Sequence, residues 1–247
     1  MRVVIALLLC AACSFRPGTL GSDAPGMPGE AGPDVPRDDA AAGVVFVGTN
    51  SAGASGTGIV RVAATGMSSA TYVLGVATKP YQPVLSVGGL AANWTTIEDQ
   101  CGARSQTGVA LYVGRGANLS GDIEVHLQGI TTNVIATVVI YTGSSSNGAS
   151  ASANAVDPMT CNLTAPTVDS ASYAFPIASA DGLVVAGVAI RGATNTPGAD
   201  LTERDERKQG TGGDIAGLAM MDGPVMTVAG SLSGTTDFAA AAVELRP

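Results

Sequence analysis

Asp122, Glu124 and His126 alternate with Ile123, Val125 and Leu127 in the run DIEVHLQ. In an extended chain the polar three share one face and the apolar three the other. Alternate residues on a strand stand about 6.5 to 7 Å apart, near the lower end of the carboxyl separation in inverting glycosidases, about 6.5 Å. Asp122 and Glu124 thus have the spacing for acid and base work on a glycosidic bond. His126, the chain's single histidine, is the side chain that could change charge near neutral pH. Gln128 extends the same face. A competing reading asks for less: a solvated strand face that binds a partner and holds no reactive centre. Sugar rings usually rest on an aromatic platform, yet the chain has one Trp and five Tyr, most inside or beside apolar runs where they would pack the core. We therefore expect a binding face at Asp122, Glu124, His126 and Gln128, and no catalytic residue.

Other chemistry lacks its residues. No Gly-x-Ser-x-Gly elbow occurs, so the serines of GSSSNGASASANAVDP are not expected to be nucleophiles. The glycines of SAGASGTG are followed by no Lys-Ser/Thr, which excludes a phosphate loop. There is no Asp-x-Asp-x-Asp-Gly calcium run, and Asp181, Asp222 and Asp237 fit turn chemistry. No metal and no cofactor are expected. Net charge is −8, and beyond residue 43 there remain 15 acidic against 9 basic side chains, net −6. Such a surface repels phosphate backbones, so nucleic acid is not an expected partner.

The polar face must sit on a strand, and its neighbours read as strands too. Residues 109–113 alternate, and NVIATVVIY over 133–141 is β-branched on both faces, as a strand covered on both sides would be. Further strands are expected at 44–48, 59–63, 72–78, 84–87, 94–98, 172–176, 183–190 and 225–232. The segment SAGASGTG reads as a loop, and GSSSNGASASANAVDP as a polar loop at one end of the fold. LTERDERK, residues 201–208, reads as a solvated turn or short helix. Asp222-Gly223 is a hairpin signal. After Asp237, FAAAAVELRP could be a capped helix or a closing strand, and the surrounding pattern favours the strand. Hydrophobic content of 46%, built on Ala and Val with 33 glycines, suits many short strands and closely approaching sheets. The expected fold is all-β, an antiparallel two-sheet sandwich of jelly-roll-like type over residues 44–247.

Residues 1–12 have a basic start, an apolar run and a small-residue exit, the form of an export signal. The segment LCAAC resembles a bacterial lipobox, which implies that Cys13 becomes the lipidated mature N-terminus. The alternative is a buried apolar strand. Residues 13–43 are rich in Pro and Gly and carry Asp23, Glu30, Asp34, Asp38 and Asp39. Their few apolar groups cannot offset ordering entropy, so a disordered tether is expected. With Cys10 removed and Cys13 lipidated, Cys101 and Cys161 remain in a domain bound for an oxidising compartment, and a disulfide between them is expected.

Over residues 70–247 the strand order resembles β-sandwich modules that recur in uncharacterised secreted and cell-surface bacterial proteins. Trp94, Gly121, Tyr141-Thr142-Gly143 and Arg246-Pro247 carry the resemblance. It implies a sandwich fold and a surface address, with no activity attached; together with the lipobox resemblance, the expected location is exported and lipid-anchored at the outer membrane or cell surface. The expected role is adhesion or envelope structure, with a membrane contact through the lipid and a glycan or envelope protein as partner. Carbohydrate binding, and after it glycoside hydrolysis, are the alternatives. Exposed rings beside Asp122 and His126 would point to sugar, and a flat polar face to a protein partner.

Overall fold

Strands account for nearly all the regular structure of the computed structural model, which describes residues 43–179 and 182–247. The expected export segment, Cys13, the tether up to residue 42, and Asp181 lie outside the described residues. The elements are β1 (Val45–Ala64), β2 (Ala70–Lys79), β3 (Val84–Gly88), β4 (Asn93–Cys101), β5 (Gly108–Arg115), β6 (Gly121–Thr142) and β7 (Ser146–Asn154). There follow a short 3-10 turn (Pro166–Val168), β8 (Ser170–Pro176), β9 (Leu183–Ile190), β10 (Asn195–Pro197), β11 (Thr202–Gln209), β12 (Ala216–Gly223), β13 (Thr227–Thr236) and β14 (Phe238–Arg246). The closing strand is thus β14, as the sequence pattern favours.

Two antiparallel sheets form the expected sandwich. The first has the order β1-β6-β2-β5-β4, with β3 also pairing β6, and the second has the order β11-β12-β9-β14-β7. They stack with like edges together, β1 against β11 and β4 against β7. Leu111, Ile135, Val139 and Tyr141 meet Leu218, Met220, Ala241 and Val243 between them. Over the central strands neither outer face is left to water. A third sheet, β10-β13-β8, lays Tyr173, Phe175 and Val228 on Val188, Met221 and Ala240 of the second. On the first, β1 and β6 bend back so that Val62, Ile123 and Val125 join Tyr72, Leu74 and Val138. This double burial explains why β2, β9, β12 and β14 are buried at every position but the last residue of β14. It also makes a strand of the helix-favouring Ala239–Ala242 run, because small side chains fill a thin space on both sides at once.

Four segments differ from their sequence-based expectation. Residues 122–128 and 133–141 belong to one strand, β6, whose register against β1 shifts between Thr57 and Ile59. The bend is possible because Gly58 lies against the Gly129 carbonyl, where an added Cβ would come within 3.3 Å. SAGASGTG is no loop but the middle of β1, hydrogen-bonded along β6 at the sheet edge. The serine-rich segment after Gly143 forms β7, held by Ser150 and Ser152 hydroxyls donating to Glu98 at 2.8 and 3.2 Å. LTERDERK is β11, a charged edge strand: Arg207 donates to the Ser51 carbonyl at 3.1 Å, and Thr137 donates to Asp205 at 3.0 Å. Both edge strands bond sideways to the facing sheet, which period and propensity do not report.

Asp222 and Asp237 are not turn residues either. Asp222-Gly223 ends β12, and the next strand, β13, belongs to another sheet. The Asp222 carboxylate is buried, accepts the Tyr141 hydroxyl at 2.6 Å, and pairs with Arg204 at 2.8 Å. The Arg204 guanidinium also lies 4.3 Å from the centre of the Phe46 ring, joining β11, β12, β6 and β1. Asp237, fully buried, accepts the backbone N–H groups of Arg104 and Gln106 at 3.1 and 3.0 Å. Burial raises its pKa, and those two hydrogen bonds oppose the rise. It thereby fixes the turn after Cys101. That turn faces Cys161, whose Cα lies 6.0 Å from the Cα of Cys101, at disulfide distance as expected.

Two measurements check this packing. Burial, and next the charge of Asp222, hold the Tyr141 hydroxyl well above its ordinary pKa. The unfolded chain ionises the same group near pH 10. The contribution is therefore full below about pH 10 and lost as pH rises past it. Urea titrations from about pH 8 to 11 should show stability falling with pH, and Tyr141→Phe should make the fall shallower. For the cysteine pair, alkylation of the unreduced, denatured protein should miss Cys101 and Cys161, and reduction should expose both. Closing the loop of 60 residues should contribute about 4 kcal/mol to the oxidised form.

Candidate functional site

The first half of β6 lies between the end of β1 and β3. Arg61 pairs with Glu124 across one side, while Gly88 and Ser86 pair with Glu124 and His126 across the other. Ile123, Val125 and Leu127 are buried, as the alternation requires, and Asp122, Glu124, His126 and Gln128 point away from them. The expected polar face is therefore one continuous surface. Glu124 Oε1 accepts the Arg61 guanidinium at 2.8 Å and stands 3.0 Å from His126 Nε2, with the His126 side chain 44% exposed.

Asp122, Glu124 and His126 line a concavity of about 250 Å³ together with Ser86, Val87, Gly88 and Gly89. Gln128 does not line it, although it is exposed on the same strand face. Gly89 closes one end at φ +110°, where a Cβ would strike the Asp122 carbonyl, so glycine is required for the chain to turn there. Trp94 stands behind this turn. Its indole N–H donates to the Gly89 carbonyl at 3.3 Å, and its ring lies over Gly114 and 6.5 Å from the Tyr72 ring centre. It is half-buried and absent from the lining.

The concavity thus offers a hydroxyl, an imidazole and two carboxylates, and no Trp, Tyr or Phe ring among its lining residues. One carboxylate already serves Arg61 and His126, so the pair is not set up as a free acid and a free base on opposite sides of a bond. The arrangement can accept and donate hydrogen bonds and attract a cation. Among the described residues no group of three or more His, Cys, Asp and Glu is placed to hold a metal ion.

A second concavity, about 590 Å³, opens at one end of the sandwich between Ser55, Thr132, Asn133, Gln209, Gly210, Thr211 and Asp214. Sequence reasoning missed it, since its residues come from three distant stretches. The polar residues of TTN after the β6 bend and of QGTGGD after β11 were the available signal, and each alone resembles an ordinary turn.

No protein-family model matches the chain, and neither a curated protein nor a solved structure matches it.

The geometry separates the polar face from the fold. Glu124→Gln and His126→Ala remove half-exposed ion-pair contacts and should each change stability by under about 1 kcal/mol. Val125→Asp places a charge where the side chain is fully buried and should abolish folding. Chemical denaturation of the three variants checks both statements; a loss above about 2 kcal/mol for either polar variant would mean that this face holds the fold together.

Proposed function

We propose that this chain is an exported, lipid-anchored envelope or surface protein whose sandwich binds a partner without catalysis. The observation that carries the reading is the concave face of Asp122, Glu124, His126 and Ser86. It is solvent-facing, chemically varied and unneeded by the core, while the strands beneath are packed on both sides. A protein partner is favoured over a glycan because no Trp, Tyr or Phe ring lines that concavity to stack on a sugar. The anchor rests on residues 1–13, where the charged start, apolar run and LCAAC precede a Pro/Gly-rich stretch. More than one acyl chain is needed for stable anchoring, and the acidic sandwich adds no basic amphipathic surface of its own.

Two tests address the two halves of the proposal. Fatty-acid labelling in a host with working lipoprotein processing should mark the wild-type protein and not Cys13→Ser. Equal labelling of both, or none of either, would reject the anchor. A glycan array probed with the full-length protein should stay at background. A hit that disappears in Asp122→Asn and His126→Ala would replace the protein partner by a carbohydrate.

A further inference from the structure

Ser55, Asn133 and Asp214 line the larger concavity, and with Lys79 beside them they form a set of groups that the binding role does not use. Lys79 ends β2 and is buried, with its side chain 8% exposed. It is paired, Cα to Cα, with Asn133 on β6, which is 3% exposed. Directly paired residues on adjacent strands bring their Cβ atoms to about 4.5 to 5.5 Å. Lys79 Nζ stands 3.2 Å from Asp214 Oδ1 and also donates to the Gly213 carbonyl. Asn133 Oδ1 accepts the Ser55 hydroxyl at 2.6 Å, and its Nδ2 donates to the Asp214 backbone carbonyl.

These are the parts of an aminolysis: a primary amine, a carboxamide with a hydrogen-bond donor on its oxygen, and a carboxylate touching the amine. We propose that Lys79 and Asn133 condense into a side-chain amide that crosslinks β2 to β6. Asp214 takes a proton from the Lys79 ammonium, and the freed nitrogen lone pair attacks Asn133 Cγ. The carbonyl electrons move onto Oδ1, where the Ser55 hydroxyl stabilises the developing charge. Collapse breaks the Cγ–Nδ2 bond, the second Lys79 proton passes to the departing nitrogen, and Asp214 returns its own. An ammonium and a carboxamide enter; a secondary amide and one ammonium ion leave. No oxidant, reductant or cofactor is required, and the open concavity gives the ammonium ion its exit.

Asn133 is the electrophile and Asp214 the proton carrier because their surroundings differ. The Asp214 side chain is 71% exposed and would react as a poor electrophile, a carboxylate anion in water. Asn133 is held from both ends of its amide, and direct pairing across the two strands puts its side chain on the same side of the sheet as that of Lys79. Orientation of this kind replaces the entropy a bimolecular reaction would lose, and it can compensate for a sluggish electrophile.

Peptide mapping of the reduced full-length protein tests the proposal. The expected result is one joined peptide containing residues 79 and 133, lighter than its two parts by one ammonia. Lys79→Arg and Asn133→Ala should yield separate peptides. Ser55→Ala and Asp214→Asn should lower the joined fraction in freshly folded protein at least about tenfold, the loss of one stabilising group. Two separate peptides of sequence mass from the wild-type protein would overturn the proposal. So would a deficit of one water that joins Lys79 to Asp214, or a joined peptide persisting in Lys79→Arg.

Discussion

Burial of both faces of the central strands is the constraint from which the rest of the structure follows. A strand in the middle of an ordinary sandwich hides one face and wets the other. Here β2, β9, β12 and β14 hide both, so each of the two central sheets needs a cover on its far side. The chain supplies the covers in two ways: by a separate three-stranded sheet, and by strands long enough to fold back over their own sheet. Layers can approach this closely because the buried positions are so often Ala, Val and Gly. Gly75 and Gly187 show the limit, since a Cβ at either would press on Met220 Sδ.

Stacked sheets still have two open sides, and polar side chains close them. On one side Arg207, Asp205 and Gln209 of β11 bond to Ser51, Thr137 and Ser55 of the facing sheet. On the other, Glu98 of β4 gathers Ser150 and Ser152 of β7, with the Cys101–Cys161 pair beside them. Partner groups on both sheets let polar bonds hold these seams beside the few apolar side chains there, Phe46 and Ile97. Near the first seam, the Asp222 carboxylate ties Tyr141 to Arg204 and so joins the sheets through a buried charge whose partners are all provided by the fold.

What the sequence revealed follows the same division. Residues 122–128 were legible because one face is wet and the other packed, which alternation records faithfully. The doubly buried runs at 133–141 and 183–190 were legible as unbroken β-branched stretches. β7 and β11 were not, because their serines and charges bond sideways to a sheet more than forty residues away in sequence, and composition alone makes such segments look like solvent-exposed loops. The polar face was visible as residues, whereas its concavity was not: that shape depends on the Gly89 turn and on β3 lying beside β6. The second concavity left only polar stretches that read as ordinary turns, because the stacking of the sheets is what brings Ser55, Asn133 and Asp214 together.

A core saturated on both sides leaves function to the rims and outer faces, where residues can change without touching the packing. The central claim is that the doubly covered strands form the most stable unit, with the edge strands opening before them. Native-state hydrogen exchange tests this most directly. The account predicts the slowest exchange, at the free energy of global unfolding, for amides of β2, β9 and β14, such as those of Leu74, Val185 and Ala241, with β7 and β11 exchanging through smaller openings. Equal protection of β7 and β11, or exchange of β2 and β14 through a local opening well below global unfolding, would contradict it.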